Sequence, residues 1–293
     1  MAQVSKRLAA NVEGDFYVDS SCIDCDACRQ IAPASFAERG DQSAVVRQPQ
    51  APSETLAAMK ALISCPTASI GTLSRVNVSS AFEALPEQLE PGLYRCGYTS
   101  EKSFGAISWL LKRQGGNLLI DSPRFAMPLV RRIEKLGGID SILLTHRDDV
   151  ADHEQFAAHF SASRFLHTDD VTKGTREVEQ IIVSSEPVEI LQKVLMLHTP
   201  GHTKGSAVFL VDGRYLFTSD HLAWSTRLGH LYAFRSACWY SWNAQIESMK
   251  RLRDLDFEWV LPGHGTPVQL PPLRMKESLE RCIEWMERPN GVH

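Results

Sequence analysis

The sequence predicts an α+β protein of two domains, a small cysteine-bearing N-terminal domain and a larger C-terminal domain of alternating strands and helices. Three of the seven cysteines lie within residues 22–28, and no similar cluster recurs. From residue 92 onward, short apolar runs alternate with amphipathic segments, and several of these runs end near His or Asp. The 293 residues, 43% of them hydrophobic, are enough to form two cores.

The linker between the two domains is predicted near residues 75–80, which gives domains 1–76 and 77–293. Residues 72–91 contain no cysteine or histidine, and Pro86 and Pro91 interrupt them. Within the N-terminal domain, Asp15–Asp19 and Ala44–Val46 have the apolar pattern of short strands. Ser53–Ser64 has the pattern of a capped amphipathic helix.

The clustered cysteines Cys22, Cys25 and Cys28 have the Cys-x2-Cys-x2-Cys spacing that holds three corners of an iron–sulfur cube. Cys65, which precedes Pro66, is the candidate for the fourth ligand, because the proline turns the chain away from a cluster. Structural zinc is the competing interpretation. Zinc sites usually pair two Cys-x2-Cys units, so this spacing favours the cluster.

This segment resembles the single-cluster bacterial ferredoxins, in which three clustered cysteines and one remote Cys-Pro bind one [4Fe-4S]. The resemblance covers about sixty residues and implies a [4Fe-4S] cofactor. Seven acidic side chains stand against four basic ones in residues 14–74. That excess suits docking to a basic redox partner protein, although ordinary solvation explains it equally well.

The C-terminal domain is predicted to alternate strands with helices. The helices are Ser103–Arg113, Met127–Lys135 and Asn243–Leu252. The strands are Gly92–Cys96, Asn117–Asp121, Ser141–Leu144, Arg164–His167, Val194–Leu197, Ala207–Val211, Tyr215–Thr218 and Trp259–Leu261. Residues able to bind metal stand at or just after five of these strands, namely Asp121, His146, His202, Asp220 and His264. Their convergence at one edge of a layered structure predicts a metal site.

The segment Thr145–His153 concentrates two histidines and three carboxylates directly after a predicted strand. A strand end fixes the first ligand and the loop brings others round, which favours metal binding. The alternative is an exposed acidic loop with Asp152 as the N-cap of a helix.

The C-terminal domain resembles the metallo-β-lactamase-fold superfamily over roughly 210 residues. Three motifs are similar to those of its glyoxalase II-like members: Thr199-Pro-Gly-His202-Thr-x-Gly-Ser206, Phe217-Thr-x-Asp220 and Pro262-Gly-His264-Gly. The resemblance implies a four-layer αβ/βα sandwich. It also implies a supporting role for Asp121, which would orient a metal ligand.

The first metal motif of that superfamily, His-x-His-x-Asp-His, is altered in this chain. Position 148 is an aspartate, and the Asp-His pair comes two residues late. If the loop holds a two-residue insertion, the resemblance implies two metals. One is bound by His146, Asp148 or Asp149, and His202, the other by Asp152, His153 and His264, with Asp220 bridging and Asp152 as general base. A mononuclear site and a site without catalytic metal are the alternatives.

Two kinds of enzyme fit this ligand set. A metal-dependent hydrolase would act on a thioester, ester, lactone or phosphoester, with the cluster as a structural or sensing element. An electron-dependent redox enzyme would use the cluster directly, and it is narrowly favoured because Asp148 makes the site richer in oxygen. This ligand set resembles that of the flavodiiron proteins, which have a carboxylate at the position of Asp148, so iron is the favoured metal. Zinc and manganese are the alternatives. A non-enzymatic electron carrier or sensor is a third possibility.

Composition excludes other partners and leaves a small-molecule substrate. The net charge of −4 and the lack of a long basic run do not suit nucleic acid. No apolar stretch approaches the length of a membrane span, and the clustered thiols suit a reducing compartment, so a cytoplasmic location is predicted. The remaining histidines lack ligand spacing and are interpreted as structural, surface or core residues, namely His159, His167, His198, His230 and His293. His221, beside Asp220, is expected to point to the opposite side of its strand.

Overall fold

The computed structural model describes residues 2–288, so His293 lies outside the described residues. The chain divides into two compact units. The first comprises the chain up to Asp140 together with Ala151–Ala162, and the second comprises Ser141–Val150 and the chain from Ser163 onward. The cysteine-bearing segment and residues 77–140 thus share one unit. The domain boundary at residue 76 stays a prediction.

The first unit is built from short antiparallel strands and five helices among its described residues. Its elements are β1 (Phe16–Val18), α1 (Ala27–Ile31), β2 (Phe36–Arg39), β3 (Gln42–Val45), α2 (Pro52–Ser64), β4 (Ile70–Thr72), α3 (Ser79–Glu83), β5 (Glu87–Glu90), β6 (Leu93–Arg95), β7 (Trp109–Leu111), β8 (Leu118–Ile120), α4 (Met127–Leu136) and α5 (His153–Phe160). β1 pairs with β4 and β2 pairs with β3. β5 to β8 form a meander in which each strand pairs antiparallel with the next.

The helix predicted over Ser103–Arg113 is wrong. Only a short 3-10 turn at Glu101–Ser103 precedes Phe104, whose left-handed backbone (φ 47°) ends it. The following residues form β7, and all three of its side chains are buried. A strand that is buried on both faces does not alternate apolar and polar residues. Its apolar residues can therefore have the spacing expected for one face of a helix.

The strands of the second unit belong to two larger sheets and a two-stranded ribbon. Its elements are β9 (Ser141–Leu143), β10 (Ser163–His167), β11 (Gln180–Ile182), β12 (Val188–Leu191), β13 (Val194–His198), β14 (Ala207–Val211), β15 (Tyr215–Ser219), β16 (Ala223–Ser225), β17 (His230–Tyr232), α6 (Trp242–Arg251), β18 (Trp259–Pro262), β19 (Val268–Gln269) and α7 (Pro272–Glu287). β9, β10 and β11 are parallel neighbours. The other sheet has the order β12-β13-β14-β15-β18-β19, and only the β15–β18 pair is parallel. β16 and β17 form a separate ribbon.

Helix α7 completes the core of the second unit and was not predicted. Its Met275, Leu279, Cys282 and Met286 are buried at helical spacing among apolar side chains of the six-stranded sheet and α6. The helix begins at Pro272, where the missing N–H costs no hydrogen bond. None of the helices within residues 2–288 combines the length and apolar character that a bilayer crossing requires.

Candidate metal centre and cluster site

The four predicted cluster cysteines lie together in the first unit. Cys22, Cys25, Cys28 and Cys65 line one cavity, and none of them forms a disulfide. The loop that carries Cys22, Cys25 and Cys28 turns tightly, because Asp24 and Asp26 both adopt the left-handed conformation (φ 60° and 59°). The remote cysteine directly follows α2, whose last residue is Ser64.

The surroundings of these cysteines suit a bound cluster. The backbone N–H groups of Ser43 and Ser69 point at the sulfurs of Cys22 and Cys65, at 3.5 and 3.3 Å. Such donors stabilise the negative charge of cluster-bound thiolates. Burial raises the pKa of Cys28 to about 12, against a smaller lowering by a neighbouring hydroxyl. A metal must therefore displace the thiol proton on binding, as in thiolate sites generally.

The close approach of the chain at Gly105 restricts the space beside one cluster ligand. A Cβ atom at Gly105 would lie 2.6 Å from the Cys25 sulfur. The glycine also has a left-handed backbone (φ 86°), so any other residue there would meet both strain and a clash. The residues present therefore fit one four-thiolate cluster.

A second set of ligand-type residues meets in the second unit. His146 follows β9, Asp220 follows β15, and His202 lies in the loop after β13. The Nε2 atom of His202 is 3.6 Å from Asp220 Oδ2 and 3.7 Å from Asp148 Oδ2. His146 Nε2 is 4.0 Å from the same oxygen of Asp220. The two imidazole rings stand at 88° with their centroids 4.6 Å apart.

Two groups of three ligands share His146. It forms one group with Asp148 and His202, and another with Asp149 and Asp220, and in each group one ligand atom per residue lies within 4.8 Å of the others. Asp149 is buried and accepts a hydrogen bond of 2.7 Å from the hydroxyl of Ser219. Both aspartates considered from the sequence therefore reach the site.

Buried polar atoms without hydrogen-bond partners mark this site as a place for metal. Among the described residues, His146 Nε2, His202 Nε2 and Asp220 Oδ1 are buried and have no such partner. Leaving them unsatisfied is costly, and a metal ion satisfies all three. The opposite nitrogens are held in place, since His146 Nδ1 lies 3.0 Å from the Thr145 hydroxyl and His202 Nδ1 donates to the Ala237 carbonyl at 2.5 Å.

The ionisable residues at the site have shifted pKa values. Burial, followed by the charge of His202, lowers the pKa of His146 to about 4, so its imidazole is neutral. Burial raises the pKa of Asp220, but the charges of His264, His146 and His202 lower it further, and the net shift is downward. Burial lowers the pKa of His202, but Asp148, Asp220 and the Ala237 carbonyl raise it further, so the net shift is upward. The site thus combines a neutral imidazole and an ionised carboxylate with a second imidazole whose proton a metal ion would displace.

The loop that carries His202 is fixed by a buried carboxylate. Asp170 accepts hydrogen bonds from the backbone N–H of Arg147 at 3.1 Å, the Thr203 hydroxyl at 2.5 Å and the backbone N–H of Gly205 at 2.9 Å. It therefore holds the loops that bear His146 and His202 together. A Cβ at Gly205 would lie 2.4 Å from the backbone nitrogen of Asp170, so only glycine permits this approach.

The other predicted site residues have different surroundings. His264 is half-buried after β18, and its charge acts on Asp220. Asp152 and His153 fall in the first unit, where Asp152 accepts hydrogen bonds from Lys102 Nζ at 2.7 Å and from the Phe125 backbone at 2.9 Å. Their roles as metal ligands and general base stay predictions. The supporting residue Asp121 is also in the first unit and is buried.

Three contributors to the site were missed from the sequence. Asp170 and Ser219 position other side chains, and His221 is buried near the site just beyond the end of β15; its expected direction, away from the metal centre, stays a prediction. Both ring nitrogens of His221 lack a hydrogen-bond partner among the described residues. Asp170 follows a strand like the predicted ligands do, so the same pattern could have identified it.

Comparison with known proteins agrees with both halves of this description. Residues 18–72 match the family described as the 4Fe-4S single cluster domain of Ferredoxin I. The hydroxyacylglutathione hydrolase of Serratia proteamaculans (strain 568) is 30% identical over 128 residues, which cover 42% of this chain and 49% of that protein. The hydroxyacylglutathione hydrolase of Glaesserella parasuis serovar 5 (strain SH0165) is 27% identical over 162 residues, covering 53% and 64%. The chain thus spans less than two thirds of either relative.

A solved structure establishes the fold. The metallo-β-lactamase from Hirschia baltica is 16% identical, with a TM-score of 0.50 over 69% of this chain and 96% of that one. The protein combines a ferredoxin-type single-cluster [4Fe-4S] domain with a metallo-β-lactamase fold that has glyoxalase II-like homologues. The predicted resemblances and fold class are confirmed.

Proposed function

We propose that the protein is a metal-dependent hydrolase of a thioester or related ester. One observation carries the proposal: His146 Nε2, His202 Nε2 and Asp220 Oδ1 are buried and unpartnered, and both nitrogens lie within 4.0 Å of the other carboxylate oxygen of Asp220. The similarity to hydroxyacylglutathione hydrolases supports hydrolysis over the redox chemistry that the sequence narrowly favoured. A divalent metal in this site supplies Lewis-acid polarisation of a carbonyl and a nucleophile from water at neutral pH.

Hydrogen bonds with neighbouring groups orient the two imidazoles that would bind the metal. The Ala237 carbonyl and the Thr145 hydroxyl fix the orientation of the two imidazoles, so their Nε2 lone pairs point inward. The carboxylate of Asp148 is half exposed, which leaves it open to solvent and substrate. The nearby His202 imidazole, 3.7 Å away, lowers the pKa of Asp148 more than burial raises it, so this carboxylate is ionised and can accept a proton.

Two exposed aromatic side chains stand beside the ligand loop. Trp239 and Tyr240 are 67% and 52% exposed, and the Trp239 ring centroid is 6.3 Å from that of His202. Their backbone N–H groups both donate to the His202 carbonyl, at 3.0 and 3.1 Å. These rings offer an apolar surface for the acyl or thiol portion of a substrate.

A matched set of variants tests the hydrolase proposal. D148N and H202A should each lower thioester hydrolysis at least about 100-fold, because each removes a ligand of the metal that activates water. H159A, a half-exposed histidine of the first unit, is the control and should retain wild-type activity. Metal content is measured on the same samples. Full hydrolysis by metal-free protein or by H202A contradicts the proposal.

Electron-dependent redox chemistry is the second candidate, and the ligand set favours it. Three carboxylates, Asp148, Asp149 and Asp220, meet two imidazoles at the site, and oxygen-rich sets suit iron or manganese. In this case a cluster held by the four cysteines would supply electrons for chemistry on a small-molecule substrate. The protein should then contain about two iron atoms beyond the cluster.

One experiment separates the two candidates and the electron carrier. The C65S variant lacks a cluster ligand, so a redox enzyme should lose its activity while a hydrolase keeps thioester hydrolysis. Elemental analysis of the same preparation identifies the site metal. Zinc at the site, with hydrolysis unaffected in C65S, contradicts the redox candidate. A simple electron carrier would keep its activity in both D148N and H202A.

A further inference from the structure

One buried serine stands beside two of the four candidate cluster cysteines. Ser43 lies in β3 and is only 1% exposed, and it lines the same cavity as Cys22 and Cys28. Its backbone N–H points at the Cys22 sulfur, 3.5 Å away. Burial raises the pKa of the Cys28 thiol, and the Ser43 hydroxyl beside that thiol opposes the rise. One residue therefore offers a donor to each of two cluster ligands.

The direction of the Ser43 hydroxyl is set by Arg29. The Nη1 atom of Arg29 donates to Ser43 Oγ at 2.8 Å, and it also donates to Asp24 at 2.5 Å, which holds the guanidinium in place. Because a guanidinium can only donate, the serine oxygen is the acceptor and its own hydrogen points elsewhere. Within residues 2–288 the structure shows no oxygen or nitrogen that accepts this hydrogen. The Cys28 sulfur is therefore its acceptor.

The hydroxyl beside Cys65 has the opposite orientation. Thr67 Oγ1 lies 3.7 Å from the Cys65 sulfur and 2.6 Å from Ser69 Oγ, which is 2.8 Å from Ser21 Oγ. The Ser21 hydroxyl donates to the Asp19 carboxylate at 2.5 Å. A carboxylate can only accept, so the hydrogens of the three hydroxyls point along this chain towards Asp19. The hydroxyl of Thr67 thus presents oxygen, not hydrogen, to the cysteine.

We propose that Ser43, oriented by Arg29, donates its hydroxyl hydrogen to the Cys28 sulfur and thereby raises the reduction potential of the bound [4Fe-4S] cluster. Reduction places one electron from a low-potential one-electron donor on the cluster, and no bond breaks and no proton is taken up. A hydrogen bond to a cluster sulfur strengthens as the negative charge on the cluster grows, so it favours the reduced form. The positive charge of Arg29 acts in the same direction.

This inference concerns the cluster alone, so it holds for the hydrolase and for the redox enzyme. Ser43 and Arg29 act as positioning residues, because neither of them is a ligand. The reduction potential and the magnetic couplings of the reduced cluster measure their effect without any assay of activity. The result is therefore independent of the proposed hydrolysis.

The first test measures the midpoint potential of the intact, cluster-loaded protein by anaerobic titration with redox mediators. S43A keeps the backbone N–H and loses only the hydroxyl, so the equilibrium constant for cluster reduction should fall about 5- to 10-fold. A tenfold fall is about 59 mV for a one-electron couple. T67V is the matched control, since it removes a hydroxyl whose hydrogen points away from the cluster, and it should not lower the potential. R29M should lower the potential less in S43A than in wild type, because part of its effect passes through the serine.

The second test distinguishes donation of a hydrogen bond from a purely structural role of Ser43. Electron–nuclear double resonance of the reduced cluster, compared in H2O and D2O, should show an exchangeable-proton coupling in wild type and T67V that S43A lacks. Each sample should contain about four irons in its cluster. If S43A holds fewer, R29M alone is used, because its serine hydroxyl is free to turn from the sulfur. A potential equal to that of wild type in the variant tested, an equal fall in T67V, or unchanged exchangeable couplings would overturn the proposal.

Discussion

Alanine at position 205 would force the loop that bears His202 away from Asp170, the residue that also holds the loop bearing His146. The new methyl group would lie 2.4 Å from the backbone nitrogen of Asp170 and 2.7 Å from its Cβ. Contacts this short cannot be relieved by a side-chain rotation, because one partner is backbone. The backbone of Gly205 is not in the left-handed region, so the effect is one of space and not of strain.

The expected loss of stability in G205A follows from the contacts that the displaced loop would disturb. Overpacking a close-packed site costs about 1–3 kcal/mol. The hydrogen bond from the Gly205 N–H to the Asp170 carboxylate, 2.9 Å long, adds about 1.5–3 kcal/mol if it is lost. We expect G205A to lower the free energy of unfolding by about 2.5–6 kcal/mol. Because the shift also moves His202, metal affinity should fall about 10- to 100-fold.

Urea denaturation and metal competition with a chelator measure the two effects. Gly174 offers a matched control, because a Cβ there would meet only one side-chain oxygen, at 3.8 Å, and its backbone is not left-handed. G174A should leave the free energy of unfolding within about 1 kcal/mol of wild type or raise it slightly. If G205A is as stable as G174A and binds metal equally well, Asp170 and Gly205 do not position the ligand loop.

Two further predictions concern the first unit. Glu87 pairs with the buried cations Lys60 and Arg95, so E87Q should cost about 3–5 kcal/mol in urea denaturation because it leaves both unpaired. Burial raises the pKa of Glu87, but these cations lower it further. Wild type should therefore lose stability as pH falls below about 4.3, and the E87Q profile should be flatter there, whereas parallel profiles would contradict this. C65S should lose the visible absorption of the cluster and its four irons. The control C96A, which removes a buried cysteine outside the cavity, should keep both. Equal iron content in the two variants would exclude Cys65 as a ligand.

Local signals in the sequence determined the cluster site. Cys22, Cys25 and Cys28 are three residues apart, so one short loop brings them together whatever the remainder of the chain does. The remote Cys65 was recognisable by the proline that follows it. The structure places all four around one cavity. Short sequence separation leaves few alternative geometries, which is why this arrangement could be anticipated; binding of the cluster by these four residues stays a prediction.

Elements covered on both faces were harder to predict. β7 was predicted as helix because Phe104, Ile107, Leu110 and Leu111 have helical spacing, whereas its three residues form a strand buried on both faces. Helix α7 was missed although its buried residues have helical spacing, because its apolar positions are separated by many charged ones. In both elements, packing against distant segments decides the outcome.

The sequence by itself determined which residues of the second unit stand at strand ends, and His146, His202 and Asp220 do meet there. Only the tertiary structure showed that Asp149 reaches the same site and that Asp170 holds its loops together. It also brought His167 against His198, two histidines that had been interpreted as structural, surface or core residues for lack of ligand spacing. Spacing along the chain predicts contacts within one loop. Contacts between the ends of strands in different sheets depend on how the sheets pack, and no local pattern records that.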